Sequence, residues 1–337
     1  MLVIFQTLLL FNAKAPRKSI KKPPSDVALS YTARLFLQPI DAKIFIGSSN
    51  KMTLIKVFTL STSLVLSLGL QAASVWKVSN DQYSLYIGGT IHVLTPEDYP
   101  LAKEYDVAYQ ASDKVIFETD MEAVSSPEFA QKMMSEMMYS DGTTINKVLR
   151  PDTYKALAIH LSSRQIPMQA FASHKPNLLA ISLTFIELQS MGYTSEGVDM
   201  FFANMAKVQG KEQGWLETPD EQLAFIANMG DDDPNGMIEY TLKDIKKMPE
   251  MFGKLHSTWL AGDMQGMAEV GITPFKADYP TIYKNLLVTR NNNWLPQIVK
   301  MLNDQPTELI LVGALHLSGP DSVLAKLKAK GYKIEKL

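Results

Sequence analysis

"YSLYIGGTIHVL", Tyr83 to Leu94, and "TELILVGALHLSGP", Thr307 to Pro320, decide how this chain folds. Each is an apolar run that stops at glycine, and each places a histidine three residues past a glycine: Gly89 with His92, and Gly313 with His316. Short apolar runs rich in β-branched and aromatic residues and ended by glycine read as buried strands that finish in a tight turn. "DKVIFETDM" reads the same way, a strand from Lys114 to Thr119 that ends at Glu118. "KEQGWLET" is a short fourth strand that ends at Glu217.

Helical periodicity fills the space between them. It predicts helices over 126–138, 151–163, 176–191, 197–209 and 220–229, further helices from Asn235 to Leu260, and a long amphipathic helix from Tyr279 to Leu302, broken near Pro296. "SVLAKLKAKGYKIEKL" closes the chain as a helix and a terminal strand. Strands separated by helices predict an α/β protein. The expected sheet is central, largely parallel or mixed, and flanked by helices, with a helical insertion between the early strands and the C-terminal strand.

Composition sets the bounds. The chain has 337 residues, 46% hydrophobic and 20% charged, as an ordinary globular protein does. With no cysteine there is no disulfide, thiolate metal site or cysteine nucleophile. The net charge of −2 conceals two regions. Residues 1–51 hold 8 basic and 2 acidic side chains, whereas residues 74–337 hold 24 basic and 33 acidic ones. An acidic body argues against general nucleic-acid binding.

"MTLIKVFTLSTSLVLSLGLQAAS", from Met52, has a charged start at Lys56, an apolar run from Val57 to Leu70 and small residues at Ala72, Ala73 and Ser74. This is the layout of a secretory signal peptide, too short to span a bilayer comfortably, with an uncleaved N-terminal membrane anchor as the alternative reading. The expectation is a true start at Met52, residues 1–51 as a non-native, disordered upstream extension, 52–73 as the signal, and 74–337 as one exported domain. That domain would be periplasmic or secreted and would have no stable membrane span.

In open α/β sheets, sites form outside the carboxyl ends of strands. Two imidazoles and one or two carboxylates at neighbouring strand ends suit a divalent metal, with manganese, cobalt, iron and zinc all open. His92, His316 and Glu118 are the expected ligands. Glu118 is either the third ligand or the base that takes a proton from a metal-bound water. Arg290, on a helix, is a permanent cation for an oxyanion or a substrate carboxylate, with Asn291 beside it. Asp199 and Glu217 are the candidate substrate-binding residues. Bland readings stay open beside these: polar core histidines, Asp199 as a helix cap, Glu217 as a helix-start acid, and Arg290 and Asn291 on a solvated face. No Gly-x-Ser-x-Gly elbow, phosphate loop, dinucleotide fingerprint or His-Glu-x-x-His is present.

"GTIH" at 89–92, Glu118, Lys175-Pro176, "GVDMFF" at 197–202, "GWLETPDEQ" at 214–222, "RNNNW" at 290–294 and "VGALHLSGPDSVLAKLKAKGYKI" at 312–334 together resemble the TraB/GumN/PrgY family, whose relatives include the Tiki proteases. The resemblance spans about residues 75–337. It implies an α/β fold shared distantly with erythromycin-esterase-like and ChaN-like proteins. It also implies a metal-dependent hydrolase, with a peptidase among the options, in which both Gly-x-x-His histidines and the strand-end glutamate are essential. The substrate would be a peptide or a small ester or amide. The alternative is a non-catalytic protein that captures a peptide or signal on the same scaffold. Asn177 departs from the pattern, where many relatives carry an aromatic after Lys-Pro.

Overall fold

A computed structural model describes residues 73–337. The expected extension over 1–51 and the signal-like segment lie outside the described residues, apart from Ala73.

Six strands form one mixed sheet in the order β4-β3-β5-β2-β1-β6. They are β1 (Val75–Ser79), β2 (Ser84–Thr90), β3 (Lys114–Phe117), β4 (Glu212–Trp215), β5 (Glu308–Gly313) and β6 (Lys333–Lys336). β2, β5, β3 and β4 run parallel, while β1 pairs antiparallel with both β2 and β6. The α/β expectation with a mixed sheet therefore holds, and so does the helical insertion, which β4 alone interrupts.

The central strand explains why the sheet forms. All six residues of β5 are buried, and its side chains alternate between two faces as the period of a strand requires. Leu309 and Leu311 enter the larger core with Val115 and Phe117, whereas Ile310 and Val312 enter the smaller one with Ile87 and Ile116. The helices Arg290–Met301 and Val323–Ala329 cover the smaller face with Trp294, Ile298, Val323 and Leu327. Among the described residues no helix is long and apolar enough to cross a membrane.

Three details depart from expectation. β1 was not foreseen, and β3 ends at Phe117, so Glu118 stands one residue beyond the strand. The helix leading through Arg290 is not broken at Pro296, which lies inside the helix Arg290–Met301. The irregularity is upstream, where Lys284–Thr289 forms wide π turns. Such turns rotate the phase of the helix beyond them, and they are frequent at functional sites.

Candidate functional site

The parallel register brings four strand ends to one edge. Thr90 of β2 pairs with Gly313 of β5, and Phe117 of β3 lies between Leu311 of β5 and Trp215 of β4. The ladder runs on past the last two strands, with Leu216 N donating to Phe117 O at 3.0 Å and Glu217 N to Glu118 O at 2.9 Å. His92, His316, Glu118 and Glu217 thus leave neighbouring strands on the same side. All four are buried, as are Asp199, Arg290 and Asn291. His92 and Asp199 form a buried pair of their own, and Glu118, Glu217, Arg290, Asn291 and His316 form one hydrogen-bonded cluster.

Arg290 is its hub. Its Nη2 donates to Glu118 Oε2 at 2.6 Å and to Glu217 Oε1 at 2.5 Å, and its Nε donates to both Glu217 oxygens at 3.0 and 3.1 Å. Its Nη1 faces His316 Nε2 at 3.2 Å. Because a guanidinium can only donate, that nitrogen of His316 must accept, and the ring proton sits on Nδ1. Nδ1 in turn donates to Asn291 Oδ1 at 2.6 Å, while Asn291 Nδ2 donates to Asp321 O at 2.9 Å. Trp294 stacks on His316 with ring centroids 4.4 Å apart and donates its Nε1–H to Glu217 Oε2 at 3.1 Å. The bland reading of Arg290 and Asn291 as a solvated face does not describe this molecule.

His92 has its own anchor. Asp199 Oδ1 lies 2.9 Å from His92 Nδ1, and Gly197 makes that approach possible. A Cβ on Gly197 would stand 2.3 Å from Ile91 O and 2.5 Å from His92 Cα, so only glycine lets the start of the helix Val198–Gln209 press against the His92 loop. Gly197 holds the cap position, and Asp199, one of the first helical residues, spends its carboxylate on the histidine.

Charge follows geometry. Burial alone would raise the Glu118 carboxyl, but Arg290, the two histidines and the Gly313 amide, which donates at 2.6 Å, outweigh it and hold it down at about 2. Burial lowers His316 to about 3, so the ring is neutral. His92 moves up from its ordinary value, because Asp199 more than offsets the effect of burial. Burial pushes Glu217 up against the opposing pull of Arg290 and Trp294. Glu118 is therefore a fixed anion and a poor proton acceptor at neutral pH, whereas His92 holds its proton more tightly than an ordinary imidazole.

Beside His92 lies a cavity of about 10 Å³, lined by Thr90, Ile91, Leu255, Met267 and residues 313–315. That is room for about one water. The Thr90 hydroxyl on its wall is buried and has no hydrogen-bond partner among the described protein groups.

The family profile of TraB/PrgY/gumN matches residues 74–336. The chain belongs to the TraB/PrgY/gumN family. No curated protein and no solved structure matches it. Within the family match, Trp294, Gln222 and Gly197 are site components that sequence reasoning did not single out. Trp294 and Gln222, whose Nε2 donates to Glu217 at 3.3 Å, hold that carboxylate in place. Their signal was present in "RNNNW" and "ETPDEQ", but nothing in those strings says which side chain turns inward.

Among the described residues no three His, Asp or Glu side chains converge as a ready metal cage. The residue types, two imidazoles and three carboxylates, are those that bind divalent ions, although Arg290 and the Gly313 amide occupy Glu118 and Arg290 faces His316 Nε2. Two buried carboxylates, Glu118 and Glu217, bond the Arg290 guanidinium and a third, Asp199, pairs with His92, so two negative charges remain when the imidazoles are neutral. An uncompensated buried charge is costly. The upward shifts of His92 and Glu217 have the direction that eases this excess. Each histidine is anchored through Nδ1 on an oxygen, as metal-ligating histidines commonly are, but Nε2 of His316 accepts from Arg290 Nη1, so an ion bound there would have to displace that contact.

Proposed function

We propose that this cluster is the hydrolytic centre of a metal-dependent enzyme that cleaves a peptide or a small ester or amide. One observation supports the reading: the ends of four neighbouring strands lead to two anchored, buried imidazoles and two buried carboxylates, of which Glu118, Glu217 and His316 meet at Arg290. A structural core needs none of this, because apolar side chains fill such a position at lower desolvation cost.

His92, His316 and Glu118 would hold the ion, which could be manganese, cobalt, iron or zinc. Once bound, it would polarise a carbonyl and bring the pKa of a water close to 7. The chain's own groups do the rest. Asp199 keeps a proton on His92 Nδ1 and fixes the plane of that ring. Asn291 does the same for His316. The low pKa of Glu118 favours an anionic ligand over a base. The cavity beside His92 offers a water its place, with the Thr90 hydroxyl to orient it. Arg290, tied to Glu217 and held by Trp294 at 4.7 Å from its ring, presents a rigid positive charge to a developing oxyanion. Burial excludes bulk water and strengthens every one of these charges.

The proposed setting is outside the cytoplasm, and it rests on the signal-like sequence over 52–73 alone. The hydrolytic reading is tested by metal content. Purified protein incubated with manganese or zinc and then desalted should retain about one ion per chain, and His92→Ala/His316→Ala should retain none. Equal retention by the two proteins would remove the ligand assignment.

A further inference from the structure

A second feature lies one helical turn from the cluster. A cleft of about 710 Å³ opens between the helices Pro219–Ala227 and Pro234–Ile245 and the segment 279–286. It shares walls with the site. Leu286 lines it, and the Leu286 carbonyl accepts from Arg290 Nη1 at 3.4 Å; Glu221, also in the lining, precedes Gln222, which bonds Glu217. Its volume falls in the range of about 300–1,000 Å³ typical of ligand sites.

The lining has two characters. Phe225, Met229 and Met237 make a deformable apolar wall, since unbranched methionines adapt to varied shapes. Tyr240 and Tyr279 meet edge to face, with centroids 5.2 Å apart at 81°, and Tyr240 is 46% exposed. The charged residues of the lining are Glu221, Asp232 and Asp233, with no Lys, Arg or His. Two of these carboxylates are already engaged. Glu221 Oε2 accepts from Thr218 N at 2.8 Å, and Asp233 Oδ1 caps Gly236 N at 2.8 Å. Bound in this way they supply negative potential rather than an open cage of oxygens. That suits an ammonium or guanidinium group, whose aliphatic stem can lie along a tyrosine face, better than a bare metal ion.

We infer that this cleft receives the substrate as a peptide segment that carries a lysine or arginine among bulky apolar side chains. The inference rests on the hydrolytic reading for the fate of the bound peptide, but binding itself can be measured without turnover.

The test uses the full chain and two fluorescein-labelled pentapeptides, Leu-Lys-Phe-Lys-Leu and Leu-Glu-Phe-Glu-Leu, with affinity read by fluorescence anisotropy at low salt. The lysine peptide should bind about tenfold more tightly, the combined effect expected of exposed charge contacts and one cation–π contact. Salt should erode the difference. Glu221→Gln/Asp232→Asn should remove it. Asp232→Lys, a change at an exposed side chain that the fold tolerates, should reverse it. Equal affinity for the two peptides, or a lysine preference that survives Asp232→Lys, overturns the inference. A preference that responds to these variants in a chain with no turnover supports the cleft and removes the hydrolysis. Glu118-dependent cleavage without any charge preference does the reverse.

Discussion

Replacing Glu118 by Gln keeps the side chain's volume and removes its charge. The wild-type carboxyl sits at about 2 in the folded protein against an ordinary 4.5. A carboxyl depressed on folding contributes stability that is complete above its unfolded value and disappears as pH falls through the folded one. That window is pH 4.5 down to about 2, and the shift corresponds to about 3 kcal/mol. Glu118→Gln should forfeit most of this at pH 7. The loss stays near about 2–3 kcal/mol, because Arg290 keeps its bonds to Glu217 and is not left bare. Urea unfolding of wild type and variant at pH 7 and pH 3 measures it. The gap should narrow to about 1 kcal/mol at pH 3, where only part of the window remains. Hydrolysis should fall by orders of magnitude at pH 7. A stability gap that does not change with pH, or a variant more stable than the wild type, would refute the placement of Glu118 as the ionised partner of Arg290.

Three further outcomes are expected. Glu308 is buried, its Oε2 has no partner among the described groups, and burial raises it to about 7. A carboxyl raised on folding contributes least at high pH, so Glu308→Gln should gain on wild type between pH 4.5 and 7 and level off above, by at most about 3 kcal/mol in thermal melts. Gly197→Ala forces a methyl into the His92 backbone and should cost at least about 1–3 kcal/mol in denaturant melts, with a drop in turnover as His92 leaves Asp199. Asn291→Ala strips His316 Nδ1–H of its acceptor; metal affinity measured by competition with a chelator should weaken by about 10–100-fold.

The strand ends were legible because their signal is local. An apolar run that stops at glycine marks the carboxyl edge of a sheet, and His92, His316, Glu118 and Glu217 all stand there. Partnerships across the chain were not legible in the same way. Asp199 sits 107 residues from His92, and in sequence it is equally a helix-start acid. The inward turn of Arg290 depends on the π turns of 284–289, which leave no mark in composition or spacing. Pro296 marked a break that the fold does not make: the helix Arg290–Met301 runs on through it. β1 is five residues with only a short alternation, and its pairing with β2 and β6 supplies what its own pattern lacks.

A metal-dependent hydrolytic centre at His92 and His316 makes its plainest demand on the rate at which the purified chain cleaves a pool of quenched fluorescent peptides as manganese is titrated in, wild type against His92→Ala/His316→Ala. Cleavage that rises and saturates with metal in the wild type and is absent from the variant at every concentration is the predicted result. Cleavage that is the same in both proteins, or no metal-dependent cleavage in the wild type, would contradict it.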